Sequence, residues 1–141
     1  MKNQMILEFD ALSENESFAR IAVASFVIPC DPELEILCDI KTAVSEAVTN
    51  AVVHGYQNNS EGKITIACDL EDGLLRVQVS DKGKGISDIK KAMEPMYTED
   101  ESGERSGMGF TVMSAFMDSI DVKSAPDRGT DVYMTKRIFG R

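Results

Sequence analysis

Residues 46–55 read Glu46-Ala47-Val48-Thr49-Asn50-Ala51-Val52-Val53-His54-Gly55 and place three polar side chains at intervals of four residues. Because an α-helix has about 3.6 residues per turn, Glu46, Asn50 and His54 form one slowly drifting stripe along a helix. The other residues of the segment are small and mostly apolar, which is typical of a helix that packs into a core and keeps polar groups at its edge. The alternative is that the stripe is only the solvated side of an amphipathic helix.

The composition favours one domain over residues 1–141, because a chain of 141 residues buries about 68–70% of the surface that its unfolded form exposes. No apolar run of about 18 residues occurs, and the N-terminus lacks the apolar segment of a signal peptide, so export and membrane insertion are not expected. Three cysteines without Cys-x-x-Cys spacing agree with reduced thiols and a cytoplasmic protein.

The charge of the chain argues against direct contact with nucleic acid. Lys and Arg number 15 against 24 Asp and Glu, which gives a formal net charge of −9 at pH 7. A surface of this sign repels a phosphate backbone, so direct binding of DNA or RNA is not expected.

Hydrophobic periodicity predicts a domain of helices and strands. One helix start is indicated at Ser13, which has an acid three residues later as in a capping box, and another at Asp31-Pro32, with Pro at the first helical position. The dipeptide Asp72-Gly73 predicts a tight hairpin turn. We expect strands around 5–9, 64–70, 74–81, 120–122 and 130–134, and helices from Ser13 towards Pro29, from Asp31 to Gly55 and over 110–117.

Side-chain alternation along the second strand of this hairpin directs a carboxylate inward. Leu75, Val77 and Val79 share the buried face, and Asp81 follows in the same phase. A buried ionised group needs a donor from the protein or from a ligand. Thr130 is placed in the same way on the last strand. The alternative for Asp81 is a turn-capping residue in an Asp-x-Gly loop.

Two glycine clusters, residues 81–85 and 105–109, flank these elements. Glycine lets backbone approach a ligand closely, and a helix N-terminus offers free N–H groups to an anion, so both clusters are candidate phosphate loops. Neither has the full spacing of a P-loop or a dinucleotide fingerprint, and loop punctuation is the alternative for each. Arg105 supplies a cation before the second cluster, although an exposed arginine can equally be only a solvated charge.

Together these residues resemble a known family. Glu46-x-x-x-Asn50-x-x-x-His54, Asp81-x-Gly83-x-Gly85, Gly107-x-Gly109 and Gly129-Thr130 occur in the order of the N, G1, G2 and G3 boxes of the gyrase, Hsp90, histidine-kinase and MutL ATPase superfamily. More narrowly, residues 13–20, 44–51 and 105–111 resemble signatures of the anti-sigma-F factors of endospore-forming bacteria, and the likeness extends over essentially the whole chain.

The resemblance implies an α+β fold of the Bergerat type, a two-layer α/β sandwich with a mixed, mostly antiparallel sheet and helices on one face. It also implies a serine protein kinase that sequesters a sporulation sigma factor and phosphorylates its anti-anti-sigma antagonist. ATP or ADP and Mg²⁺ are the implied cofactors. A nucleotide lid is expected at about 95–109.

Roles for individual residues also follow from the resemblance. Glu46 would orient or deprotonate the attacking hydroxyl. Asn50 would coordinate Mg²⁺. The nucleotide contacts would come from Asp81 at the adenine amino group, Thr130 in support of it, Gly83 and Gly85 near the base and sugar, and Arg105, Gly107, Met108 and Gly109 at the phosphates.

Partner contacts are implied by the family as well. Glu16 and Arg20 on the first helix resemble a surface that faces the sigma factor and the anti-anti-sigma protein, and a solvated helix face is the alternative. A homodimer is also implied, through the first strand and first helix with their apolar Ile6, Phe18 and Phe26.

The lid departs from the family pattern. Where relatives carry a Thr-Lys-Pro-like sequence, residues 98–104 hold four acids and no lysine, so like-charge repulsion should weaken the binding of a triphosphate. This motivates an alternative function, a nucleotide-gated sigma-binding module without phosphotransfer. A third possibility, the ATP-binding half of a histidine kinase, is disfavoured because the chain's only histidine, His54, lies inside the nucleotide motif.

Overall fold

The computed structural model describes residues 1–89, 93 and 109–139. Within these ranges no helix is both long enough and apolar enough to cross a membrane. The elements follow in chain order as β1 (Lys2–Asp10), α1 (Asn15–Val27), a 3₁₀ turn (Ile28–Cys30), α2 (Leu34–Asn50), a π-helical turn (Ala51–Gly55), β2 (Lys63–Glu71), β3 (Leu74–Asp81), α3 (Gly109–Phe116), β4 (Ser119–Ser124) and β5 (Thr130–Arg137).

The five described strands form one sheet in the order β1-β2-β3-β5-β4. Each neighbouring pair is antiparallel, so the sheet predicted as mixed and mostly antiparallel is antiparallel at every described pairing. The predicted hairpin between β2 and β3 is confirmed. Its turn residues Asp72 and Gly73 both have positive φ, 51° and 82°, as a type I′ turn requires, and the twist of that turn matches the strands it joins.

The core lies between one face of the sheet and the helices. Leu75, Val77, Val79 and Asp81 are all buried on that face, which confirms the predicted alternation of β3. Side chains of all three described helices pack against them. The largest fully buried members from the helices are Val23 and Val27 of α1, Ile40, Val44 and Val48 of α2, and Met113 of α3. The predicted two-layer α+β sandwich is therefore confirmed.

The predicted capping box at the start of α1 is wrong. α1 begins at Asn15, and its N-cap residue Glu14 makes no side-chain cap hydrogen bond. The Asn15 side chain instead donates a hydrogen bond of 2.9 Å to the carbonyl of Asp10. A contact to the preceding strand has replaced the local cap, and it ties the start of the helix to the end of β1.

The predicted start of α2 at Asp31-Pro32 is also wrong. Asp31 ends the 3₁₀ turn in the left-handed conformation, with φ of 53°, and its N–H donates to the carbonyl of Ile28. This residue reverses the chain, so Pro32 stays outside the helix. Glu33 is extended and forms the N-cap, and α2 begins only at Leu34.

The predicted end of this helix at Gly55 is correct, but its last turn is not α-helical. Residues 51–55 form a π-helical turn, in which the Tyr56 N–H donates to the carbonyl of Ala51 across 2.9 Å. A π turn contains more residues than an α turn. His54 lies within this π turn.

Lys136 joins three elements on the helix side of the sheet. Its ammonium group on β5 donates to the carbonyl of Phe116 at the C-terminal end of α3, at 2.7 Å, and to a carboxylate oxygen of Asp39 on α2, at 3.2 Å. Only 13% of the lysine side chain is exposed. A cation at this position also interacts favourably with the dipole of α3.

We expect Lys136→Met to lower the free energy of unfolding by about 1–3 kcal/mol, because Asp39 and the end of α3 lose their half-buried donor. Chemical denaturation at neutral pH measures the loss. Lys2→Met is the matched control: Lys2 pairs with Glu71 at 3.7 Å on the exposed surface, so its removal should change stability by no more than about 0.5 kcal/mol. Equal losses of unfolding free energy in the two variants would contradict the stabilising role assigned to Lys136.

Candidate nucleotide-binding site

Three polar side chains lie on one rung at the end of the sheet. Asp81 of β3 is paired with Thr130 of β5, and Thr130 is paired in turn with Ser124 of β4. Asp81 and Thr130 are 8% and 9% exposed and are the two buried polar side chains among the described residues. Directly opposed residues point to the same face of a sheet, so all three side chains lie on the side of the helices.

The Asp81 carboxyl is an acceptor held in a desolvated place. Burial raises its pKa to about 6, against the opposing effect of backbone hydrogen bonds from Gly83 and Thr130, and the nearby charge of Asp131 raises it further. The Gly83 N–H donates to Oδ1 of Asp81 at 2.8 Å, so Asp81 does cap the turn, as the alternative interpretation expected. The same group is nevertheless buried, and it is mostly ionised at neutral pH.

Gly55, at the end of the π turn, lies directly against this carboxyl. A Cβ atom at Gly55 would come within 2.8 Å of Oδ1 of Asp81, closer than real contacts allow. The Gly55 carbonyl also accepts a hydrogen bond of 2.9 Å from the N–H of Lys84, in the loop that follows β3. Glycine at this position therefore lets the end of the helix and the Asp81 loop touch.

Other glycines of the site are required by contacts within the chain. A Cβ atom at Gly83 would lie 2.0 Å from the Gly55 carbonyl oxygen. Gly85 and Gly129 have positive φ of 75° and 80°, and a Cβ at either would meet backbone oxygen at about 2 Å. These loops are thus packed backbone on backbone beside Asp81, whatever ligand they also admit.

Asn50 marks the second end of the site. It is the last residue of α2 and lies against the start of α3, where a Cβ at Gly109 would approach its carboxamide oxygen to 2.9 Å. The first described residue of α3 therefore lies against a carboxamide. N–H groups at a helix start suit an anion, and a carboxamide oxygen suits a hard cation. Of the predicted phosphate loop only Gly109 is placed; Arg105, Gly107, Met108 and residues 95–108 of the predicted lid lie outside the described residues.

Glu46 lies one α-helical turn before Asn50, as predicted, and is half-buried. It lines a groove of about 230 Å³ between α1 and α2, together with Arg20, Cys38, Lys41, Thr42 and Ser45. The groove thus connects the predicted base to the predicted partner residue Arg20.

The residues present fit a nucleotide with a bound cation. The buried acceptor can bind a base, and the close-packed glycines leave room beside it for a sugar. The helix start that faces a carboxamide can bind phosphates. In the described part of the chain no group of three or more His, Cys, Asp or Glu side chains is placed to hold a metal ion.

Sequence reasoning missed two residues that support the strand ends around Asp81 and Thr130. The Tyr56 hydroxyl accepts from the N–H of Lys82 at 2.7 Å and donates to the carbonyl of Lys63 at 2.6 Å, so it fastens the end of β3 to the start of β2. Ser124 carries a hydroxyl that contacts Thr130 at 2.8 Å. The one sign of Ser124 in the sequence was its position two residues after the buried Val122, which places both side chains on the same face of β4.

Comparisons with known proteins identify the domain family and the fold of the chain. Residues 9–136 match the histidine kinase-like ATPase domain family. Solved structures share the fold: the catalytic domain of the histidine kinase ThkA, 16% identical, covers 95% of this chain and 96% of its own with a TM-score of 0.60. The crystal structure of the RsbU and RsbW domains of a Mycobacterium tuberculosis protein, 23% identical, matches with a TM-score of 0.70 over 96% of this chain and 32% of that longer one.

Curated relatives are much more similar in sequence. The Anti-sigma F factor of Oceanobacillus iheyensis is 54% identical over 98% of this chain and 94% of its own, and that of Bacillus subtilis is 51% identical over the same shares. The Anti-sigma F factor of Clostridium botulinum strain Eklund 17B is 52% identical over 97% of this chain and 96% of its own. Because these relatives are 51–54% identical over nearly its whole length and the family model matches residues 9–136, the chain belongs to the anti-sigma F factor family and carries a histidine kinase-like ATPase domain.

Proposed function

We propose that the protein is an anti-sigma factor that holds a sporulation RNA-polymerase sigma factor in the cytoplasm and uses Mg-ATP to phosphorylate a serine on its anti-anti-sigma antagonist. The observation that carries the nucleotide part is the buried Asp81 carboxyl against Gly55, with Thr130 on the same rung. A buried acceptor of this kind is suited to a ligand that brings hydrogen-bond donors. The names of the relatives support the anti-sigma part.

The adenine end of the proposed site is formed by Asp81 and Thr130. The ionised carboxyl would accept a hydrogen bond from the amino group of adenine, and Thr130 would support that contact. Gly83 and Gly85 form the loop beside the base and sugar. Because these glycines pack on neighbouring backbone, the loop has little freedom to move away from the ligand.

The phosphate end would be formed by Asn50 and the start of α3. Asn50 is proposed as the protein ligand of Mg²⁺, which when bound neutralises charge on the phosphates. Gly109 presents the helix start beside Asn50. Arg105, Gly107 and Met108 are proposed as further phosphate contacts.

Glu46 is proposed to orient or deprotonate the serine hydroxyl of the substrate protein. It lies one turn from Asn50 and lines the groove between α1 and α2, so it is accessible from the side on which Arg20 lies. A protein substrate bound across this groove would bring its hydroxyl towards the phosphate end of the site.

The partner surface is proposed around Arg20 and Glu16 of α1. The Arg20 guanidinium pairs with the Glu16 carboxylate at 3.1 Å and donates to the Ser17 hydroxyl at 3.1 Å, so its side chain is held in place before a partner arrives. An ordered arginine costs less entropy on binding than a free one.

A homodimer is proposed as the assembly that binds the partners. Ile6 and Phe18 are 79% and 51% exposed, so both offer apolar surface for an interface. Phe26, expected on the same surface, is only partly accessible because it packs against the core. Ile6 lies on the outer face of the sheet and Phe18 on the helix side, in edge contact with Phe9, so an interface that covers both must wrap around β1.

The alternative is a nucleotide-gated sigma-binding module that does not transfer phosphate. The acids of residues 98–104, which lie outside the described residues, favour it because they repel a triphosphate. Labelled ATP with the antagonist separates the two: no labelled serine, under conditions where the sigma complex forms, would favour the module.

Glu46→Ala is expected to lower the rate of phosphate transfer to the antagonist by about 100-fold or more, because the serine hydroxyl loses its base, while Mg-ATP still binds. Single-turnover transfer of labelled phosphate and calorimetric titration measure the two properties. Glu35→Ala, an exposed glutamate in the first turn of the same helix, is the control and should transfer normally. Normal transfer by the Glu46 variant would remove this residue from the mechanism.

Mg-ATP affinity is expected to be high above about pH 6 and to fall below it, because the raised pKa of Asp81 means that protonation removes the acceptor in that range. Asp81→Asn should weaken binding about tenfold or more at pH 7.5. It should also abolish the part of the pH dependence that does not come from ATP itself. Calorimetry of both proteins between about pH 5 and 7.5 tests this, and parallel pH profiles would contradict the role.

Size-exclusion chromatography with light scattering tests the proposed assembly. We expect the free chain at micromolar concentration to have twice the mass of one chain and to form a larger complex with the sigma factor. Arg20→Ala should keep the mass of the free dimer and lose the complex. Arg137→Ala, whose side chain contacts the Asp72 carbonyl at the hairpin end of the sheet, should change neither. A monomer would refute the dimer, and an intact complex would refute the Arg20 surface.

A further inference from the structure

The groove between α1 and α2 contains two cations, and one of them is already paired within the chain. The Arg20 guanidinium pairs with the Glu16 carboxylate at 3.1 Å. Lys41 lines the same groove and is half-buried, and in the part of the chain that the structure describes it has no carboxylate within ion-pair distance. Of these two cations, Lys41 is therefore the one whose charge is available to a bound partner.

Most of the other described residues that line the groove are neutral. Cys38, Thr42 and Ser45 carry a thiol and two hydroxyls. Glu46 is the one carboxylate among them. A half-buried ammonium without a counter-ion has lost part of its hydration, and a carboxylate that arrives beside it compensates that loss. The groove therefore favours an acidic ligand at Lys41, although the whole chain has a formal net charge of −9.

The position of Lys41 relative to Glu46 determines which part of a substrate it can reach. Lys41 precedes Glu46 by five residues on α2, which is about 7.5 Å along the helix axis at about 1.5 Å per residue. An extended segment advances about 3.3 Å per residue. When a substrate hydroxyl lies at Glu46, a side chain two or three residues away from it lies level with Lys41.

We propose that Lys41 is a substrate-recognition residue, which binds a carboxylate of the antagonist two or three residues from the serine that receives the phosphate. The inference rests on the proposed function, because it takes Glu46 as the residue that faces this serine. It adds the chemistry of the recognised segment and the side chain of this protein that selects it. Lys41 acts on the binding of the substrate and contributes nothing that is specific to the transition state.

Lys41→Met is expected to raise the KM for the antagonist about fivefold to tenfold and to leave kcat within about twofold, because the lost charge pair stabilises ground state and transition state alike. Added salt should raise the KM of the wild type more steeply than that of the variant. Steady-state transfer of labelled phosphate at low and at physiological ionic strength measures both. An unchanged KM, or a fall in kcat alone, would overturn the role of Lys41.

Two further variants serve as controls. Lys41→Arg keeps the positive charge and should keep the KM within about twofold of the wild type. Lys123→Met removes a lysine from β4, where the ammonium lies 5.4 Å from the centre of the Tyr133 ring on the face of the sheet opposite the helices. It changes the net charge by the same amount and should keep the wild-type KM and its salt dependence. Equal effects of Lys41→Met and Lys123→Met would show a general charge effect and overturn the contact.

Binding measurements separate a substrate contact from a general role in the fold or in sigma binding. Lys41→Met should bind Mg-ATP and the sigma factor as the wild type does. Calorimetry measures both affinities. A loss of sigma affinity as large as the loss of antagonist affinity would overturn the assignment of Lys41 to the substrate.

A double-mutant cycle identifies the carboxylate on the antagonist. Each Asp and Glu within three residues of the phosphorylated serine is changed in turn to Asn or Gln, and each antagonist variant is assayed with the wild type and with Lys41→Met. At the contacting position the two single changes and the double change should all raise KM by about the same factor. Increases that multiply at every position, or an antagonist without an acid in this range, would overturn the inference.

Cys38 provides a test that needs no variant. It is exposed and lines the groove three residues before Lys41, whereas Cys30 and Cys68 are buried, and burial raises the pKa of Cys68 to about 12. Iodoacetamide should therefore alkylate Cys38 first. Saturating antagonist should slow this reaction several-fold, because its bound segment covers the groove. Alkylation at an undiminished rate, under conditions where phosphate is transferred, would overturn the location of the contact.

The outcomes distinguish this inference from the proposed function. Phosphate transfer to the antagonist with a normal KM in Lys41→Met would remove the role of Lys41 and leave the kinase in place. A wild-type protein that transfers no phosphate to the antagonist would remove the proposed function and this inference with it. If Lys41→Met does not fold, the alkylation rate of Cys38 in the wild type decides.

Discussion

The burial of the Asp81 carboxyl at the end of β3 is the constraint on which the rest of this site depends. Removing a carboxylate from water is costly, and the chain offsets part of that cost with backbone donors. The Gly83 N–H binds one oxygen, and Gly55 lies too close to the carboxyl for any side chain. These contacts fix where the end of the helix meets the sheet, and the raised pKa of Asp81 is a consequence of the same burial.

The two ends of the proposed site are joined by one short segment. Asn50 ends α2 beside the start of α3, and five residues later Gly55 touches Asp81. The intervening turn is π-helical, a conformation that is rare and is found often at functional sites. Lys136 holds the far end of α3 against α2 and β5, so the helix start at Gly109 and the carboxamide at Asn50 belong to one braced unit.

Strand alternation by itself places Asp81 and Thr130 on the buried face, because the side-chain period of a strand is a local property. The helix starts could not be placed so well. At Asn15 and at Asp31 a contact with neighbouring backbone replaced the cap that the local sequence predicted. The structure places Glu46 one turn from Asn50. Its role as a base stays a prediction from the motif, as do the phosphate contacts of Arg105, Gly107 and Met108.

By itself the sequence determined the alternating core, the β2–β3 hairpin and the family, because periodicity, turn residues and motif order can be read over short spans of the chain. Only the tertiary structure decided that the helix loosens into a π turn, that Gly55 meets Asp81, and that Ser124 engages the hydroxyl of Thr130. Those contacts join residues from separate elements, and they depend on how the helices pack against the sheet. No local pattern carries that information.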